Sequence, residues 1–353
     1  MTIPYTRSQL LIRSNERVKV RYDQKYERMR DALYYICQIG FSIGIWYTFS
    51  IVATIMNKTL VNKKIFPLTL TFAHVFTSCI CDILVIYGYE RQVPKVVNTK
   101  SGWKLFWLVL PLSCAMVFSK IFTYTSYGYV PVSLTHTVKA LQPFFTVLIT
   151  YFWTGKTVSW RTLLSLVPII IGVAYASVNE LQFNMTGFIC ALISCILSVW
   201  QSIYVKMLIK SGIDRNYLHL LNGIMSASLL FPIVIIYEIY EGTYSSLSLR
   251  VLLLCSIIQY CSSVASYKSI SLITSLTYSI TNTFKRIAII LATSLYFGKY
   301  LSFQTIIGII IAMLGVLSYN LVKIKEQKQN KYVKSPLMTP NESVEINFDK
   351  IYI

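Results

Sequence analysis

Runs of about 20 residues with almost no charge recur from residue 33 to residue 322. Each is long enough to cross a hydrocarbon core about 30 Å thick. No other feature constrains this chain as tightly, because a run of that length needs lipid around it. Only 13% of the 353 residues are charged and 55% are hydrophobic, with a mean hydropathy of +0.56. Ordinary soluble domains carry about 25% charged residues, so a globular surface is excluded, as are disordered and fibrous classes. A single all-α integral membrane bundle is expected.

Hydropathy predicts ten spans, at about 33–56, 66–88, 105–126, 131–153, 161–178, 186–206, 217–240, 249–269, 272–296 and 303–322. Residues 1–32 form a polar segment with eight basic and four acidic residues and no short apolar core before a small-residue cleavage site. Residues 323–353 form a polar tail expected to be disordered. Ten is even, which puts both termini on one side. Segments on that side hold 24 Lys and Arg, and the opposite loops hold five: Lys58, Lys63, Lys64, Arg250 and Lys299. This bias predicts cytosolic termini. The same bias explains most of the net charge of +19, which in a soluble protein would suggest nucleic acid. The expected partner is therefore the bilayer, with no nucleic acid.

The second half echoes the first. Residues 155–162 read GKTVSWRT and residues 298–305 read GKYLSFQT, at the joins of the fourth to the fifth span and of the ninth to the tenth. Two five-helix halves, about 33–178 and 186–322, follow from this. Five is odd, so the halves are inverted, as in many secondary transporters. Pro131, Pro143, Pro168 and Pro232, with Gly172 and Gly315, are the positions where spans can bend.

Four cations lie inside the spans: Lys120, Lys139, Lys285 and Arg286. A charge at a helix centre costs about 2.5–3.5 kcal/mol on the insertion scale. The spans offer one deep carboxylate, Asp82, with Glu238 at a span end. Three positive charges are thus left for water or for an anionic ligand. Lys139 in the fourth span and Lys285-Arg286 in the ninth are repeat partners and are expected to meet near the pseudo-two-fold axis. Arg supplies a planar fork for phosphate and Lys supplies mobile point charges, so a dianionic phosphate or phosphate ester suits them. The bland alternatives are an interfacial anchor for the pair and a shifted span boundary for Lys139.

Around them lie Thr123, Thr125, Ser126, Thr135, His136 and Thr137, then Ser279, Thr281, Asn282 and Thr283. These groups can bond a ligand, although Ser and Thr in membranes usually bond their own helix. His74, His136 and Asp82 are the titrating candidates. The eight cysteines lie in apolar stretches without a Cys-x-x-Cys pair, so they read as free thiols and not as zinc ligands. Neither a P-loop, nor a metal cluster, nor a paired intramembrane carboxylate is present to suggest an enzyme or a cofactor.

The stretches WYTFSIVATIMNKTLVNKKIFP (46–67), THTVKALQPFFTVLIT (135–150), GKTVSWRTLLSLVP (155–168) and SITNTFKRIAIILATSLYFGK (279–299) resemble the triose-phosphate translocator family of the drug/metabolite transporter superfamily. The resemblance runs over roughly residues 40–322. It implies a ten-helix inverted repeat that exchanges organic phosphate for inorganic phosphate. It also implies phosphate binding by Lys139, Lys285 and Arg286, with Thr123 alongside. Two positions depart: Lys120 stands where plastid members carry histidine, and Ser262 where they carry tyrosine. The expected cargo is triose phosphate, phosphoenolpyruvate or a sugar phosphate, in an intracellular organelle, either an outermost plastid (apicoplast-type) membrane or the ER/Golgi. A nucleotide-sugar antiporter is the nearest rival, with Tyr124, Tyr127 and Tyr278 to stack on a base. A non-transporting membrane partner is a further rival, disfavoured by the cost of three unpaired charges.

Overall fold

In the computed structural model, residues 7–86, 102–155, 158–241, 246–273, 275–298 and 301–334 are described. They form helices α1 (Arg7–Asn62), α2 (Pro67–Ile83), α3 (Gly102–Tyr129), α4 (Val132–Val138), α5 (Gln142–Thr154), α6 (Trp160–Val178), α7 (Met185–Lys210), α8 (Arg215–Glu241), α9 (Ser246–Leu272), α10 (Ser275–Tyr296) and α11 (Phe303–Lys334). A 3₁₀ turn, Lys139–Leu141, separates α4 from α5.

Eight of these helices are long and apolar enough to cross a membrane: α1, α2, α3, α6, α7, α8, α9 and α11. The expected fourth and ninth spans fall outside the eight, for a physical reason. The fourth is broken into two short helices, and the ninth carries Lys285 and Arg286 amid hydroxyl and amide side chains. The outward faces are apolar, with Phe152, Ile236 and Leu314 all more than half exposed, as a lipid-facing surface requires. α11 continues past the expected boundary at 322 to Lys334. Residues 335–353 lie outside the described residues.

The main packing pairs are α6 with α11, α3 with α7, α1 with α9, and α2 with α8. Smaller contacts join α2 to α9, α3 to α8, α1 to α10, α5 to α7 and α4 to α10. At the α6–α11 crossing, Gly172 lies against Ala312 and Gly308, while Gly315 lies against Ile169. Gly172 and Gly315 are therefore sites of close helix approach, a role the sequence did not assign them. Pro131 and Pro143 sit at helix starts, where a missing N–H costs nothing.

The two copies of the repeated octapeptide fold alike. Gly155 and Gly298 both take left-handed backbone, with φ of 61° and 62°, which glycine adopts without strain. Ser159 then accepts from Thr162 N at 3.3 Å, and Ser302 accepts from Thr305 N at 3.0 Å, each capping the helix that follows.

One charge is relocated. Lys58, counted from sequence among the loop lysines, lies inside α1 and is 5% exposed. Its ammonium donates to Tyr127 O and Val130 O at the end of α3, where unsatisfied carbonyls attract a cation. Lys63 and Lys64 stay in the turn after α1, Arg250 falls in the first turns of α9, and Lys299 lies outside the described residues. Lys58→Met keeps the stem and removes the charge. It is expected to cost about 1–3 kcal/mol, seen as a lower thermal midpoint in detergent; an unchanged midpoint would rule out a capping role.

Candidate anion site

The break in the fourth span begins the site. Residue 143 is proline and offers no N–H, so Lys139 O loses its ordinary helical donor four residues on. Two other donors serve that carbonyl: Gln142 N in the 3₁₀ turn and the Arg286 guanidinium arriving from α10. Arg286 also donates to Gln142 Oε1. The expected meeting of Lys139 with the Lys285-Arg286 pair therefore has a backbone component that sequence reasoning missed. Gln142 carried no charge to draw notice, and its one signal was the proline beside it.

A cavity of about 390 Å³ lies among α1, α3, α4, α7, α8, α9 and α10. Six of the seven sequence-predicted site residues line it: Lys120, Thr123, His136, Lys139, Ser262 and Lys285. The seventh, Arg286, lines a neighbouring cavity of about 500 Å³ instead. The three clamp cations thus form a wall between two spaces and do not all face a single pocket.

Each of the three rests on a neutral partner. Lys139 Nζ donates to Thr123 Oγ1 at 2.9 Å. Lys285 Nζ stands 4.4 Å above the ring of Trp46, a cation–π contact. Arg286 holds Lys139 O and Gln142. Among the described residues, no carboxylate comes within ion-pair reach of these three or of Lys120. Asp82, the one deep acid, is taken by His219 Nδ1 at 2.6 Å and by the Tyr260 hydroxyl at 3.2 Å. Asp82 therefore leaves all four cations without an acid, not the three counted from sequence. His219, one turn into α8, was not among the residues singled out from the sequence.

Ser262 bonds Ser50 Oγ at 2.8 Å, and His136 Nε2 lies 3.2 Å from the Tyr127 hydroxyl. Below them Asn57 joins three helices: His74 Nε2 reaches its Oδ1 at 2.8 Å, Cys255 Sγ donates to the same oxygen, and its own Nδ2 points at Gln259 Oε1. Of the other hydroxyls flagged from sequence, Ser126 bonds Thr135 at 2.8 Å and Thr137 bonds Ser133 O, the ordinary internal use of such groups. The Ser279 side chain lies outside the described residues. The site is thus a cationic, hydroxyl-lined chamber with no carboxylate among the described residues that line it, suited to a small polyanion.

The profile of the Triose-phosphate Transporter family matches residues 37–320. A chloroplastic triose phosphate/phosphate translocator of Flaveria pringlei is 30% identical over 309 residues, covering 84% of this chain and 74% of that one. Phosphoenolpyruvate/phosphate translocator 3 of Oryza sativa subsp. japonica, also chloroplastic, is 32% identical over 314 residues, covering 85% and 78%. One crystal structure, at 16% identity, aligns with a TM-score of 0.52 over 81% of this chain and 97% of that chain, a likeness of fold.

Proposed function

The chain belongs to the Triose-phosphate Transporter family, and from that premise we propose that it is an antiporter exchanging a phosphorylated small metabolite for inorganic phosphate across an organelle membrane. It is a transporter and not an enzyme. Names of the relatives point to triose phosphate and phosphoenolpyruvate as cargo, and their chloroplast address favours a plastid-type membrane.

The observation that carries this reading is the wall of Lys139, Lys285 and Arg286, which repel one another and have no acid within ion-pair reach among the described residues. A phosphate dianion supplies the missing charge. It draws Lys139 from Thr123, Lys285 from Trp46 and the free edge of Arg286 onto itself. Without it the three cations resist being enclosed, so the empty carrier does not cross. Exchange follows, because only the loaded form closes.

The ten-span inverted repeat belongs to this proposal. Counting α4–α5 as one span and α10 as another completes two sets of five. The packing pairs then interchange between halves: α1–α9 with α7–α3, α2–α9 with α8–α3, and α1–α10 with α7–α5, while α2–α8, α4–α10 and α6–α11 are their own images. Gly172 against Ala312 repeats as Gly315 against Ile169, at the 143-residue offset that relates Gly155 to Gly298. Such a pair of halves is the usual frame for alternating access.

The nucleotide-sugar rival loses its feature. Tyr278 already stacks on Trp46 with centroids 5.2 Å apart, the Tyr127 hydroxyl meets His136, and Tyr124 packs on His74.

Reconstitution into liposomes tests the reading. Uptake of labelled phosphate is expected only when phosphate or a phosphorylated metabolite is inside; uptake into empty vesicles at the same rate would overturn antiport. Lys120 adds a cation to the cavity that a bare phosphate does not need. A cargo with a phosphate and a carboxylate, such as phosphoenolpyruvate, satisfies it. Lys120→Ala is expected to weaken that cargo about tenfold and phosphate less than threefold, as loss of one charge-assisted contact implies. Equal weakening of both would remove Lys120 from specificity.

A further inference from the structure

The larger cavity, about 500 Å³, lies between α5, α7, α10 and α11. Neither Lys139 nor Lys285 lines it, but Arg286 does, and Arg286 donates to the carbonyl of Lys139, a residue of the lysine cavity. From there it runs to the membrane face where α11 leaves the apolar stretch Phe303–Glu326. Two further cations line it near that face: Lys206, four residues before the end of α7, and Lys323. Glu326, the acid beside Lys323, is already committed. Its Oε1 accepts from the Ser159 and Thr162 hydroxyls, and its Oε2 stands 3.9 Å from Lys323, an ion pair too long to be a hydrogen bond. Asn282, Thr146 and Tyr278 add neutral polar groups. A guanidinium has five N–H donors; Lys139 O and Gln142 engage two nitrogens of Arg286 and leave its remaining edge for this space.

We infer that this cavity is a second anion station, in which Lys206, Lys323 and Arg286 hold a phosphate group, inorganic or esterified, on the terminal face of the bundle before it enters or after it leaves the lysine cavity. The direction of traffic rests on the exchange reading; the binding itself rests on the cavity alone. A cleft lined with one sign of charge concentrates its counter-ion and raises its arrival rate. Arg286 lines this cavity and holds the carbonyl of Lys139, which lines the other, so a phosphate gathered by Lys206, Lys323 and Arg286 stands beside the lysine cavity it enters next.

Ser202 is exposed and lines this cavity, so Ser202→Cys places a thiol there in the full-length protein. An anionic methanethiosulfonate is expected to modify it about tenfold faster than a cationic one, and inorganic phosphate is expected to slow the reaction saturably. Lys206→Gln with Lys323→Gln in the same background removes both effects. Equal rates for the two reagents, or phosphate protection that survives the double substitution, overturns the station. In sealed vesicles sorted by orientation, the double substitution raises the half-saturating phosphate concentration about tenfold on the terminal face alone. An equal rise on both faces assigns the lysines a general role and overturns the inference. A wild-type protein that shows phosphate protection but no exchange keeps the station and removes the exchange reading.

Discussion

Lys285→Ala is expected to abolish counter-exchange while leaving the bundle folded. The side chain packs its charge against the Trp46 ring and meets no carboxylate among the described residues, so nothing structural is left unpaired by its loss. The loaded state suffers instead, because the phosphate keeps a charge that Lys139 and Arg286 alone must balance. Truncating one member of a buried charge pair costs about 2–5 kcal/mol, which is roughly 30-fold to several thousandfold in affinity. The thermal midpoint of the empty protein is expected to hold or rise, since a desolvated charge is removed. Phosphate-dependent stabilisation should vanish with exchange. A variant that folds and still exchanges within a few-fold of wild type would show that the clamp lies elsewhere. Arg286→Lys is not a safe control, because the planar fork that reaches Lys139 O and Gln142 together is lost with it.

Gly308→Leu is expected to prevent assembly of the bundle. A Cβ at residue 308 would sit 2.5 Å from Ala176 N and 2.8 Å from Ala176 Cα. These are backbone atoms of a facing helix and cannot rotate aside. Overpacking of a side-chain contact costs about 1–3 kcal/mol and occasionally more; with two helix backbones held at their closest approach, the cost falls at or above the top of that range. The consequence reaches beyond one crossing, because α6 with α11 is a main packing pair of the bundle, and membrane helices associate through such small-residue contacts. Loss of monodisperse protein in detergent is the expected readout. Gly44→Leu is the control: nothing lies within 4 Å of a Cβ there, and normal yield and exchange are expected. A well-behaved Gly308→Leu protein would mean that the α6–α11 contact is looser than it stands.

The membrane class, the rough span positions and the excess of buried cations were legible in the sequence. Hydropathy and charge depend on each residue's own identity, summed over a window, and need no partner. The octapeptide repeat was legible for a similar reason. A left-handed glycine followed by a capping serine is a local device, and Gly155 with Ser159 and Gly298 with Ser302 carry it within five residues each. Lys120, Lys139 and Lys285 share one cavity because a charge that cannot face lipid has nowhere else to point.

What only the tertiary structure decided were the pairings. A helix apolar on most sides does not reveal its rotation, and its neighbours come from spans far along the chain, 69 residues away for Lys58 and Tyr127 and 137 for Asp82 and His219. Hence Lys58 left the loop count and capped α3, Asp82 turned to His219 and away from the cations, and Gly172 became a point of helix contact. Pro143 and Arg286, 143 residues apart, met at one carbonyl, because the donor missing from one helix could be supplied only by the helix that folded against it.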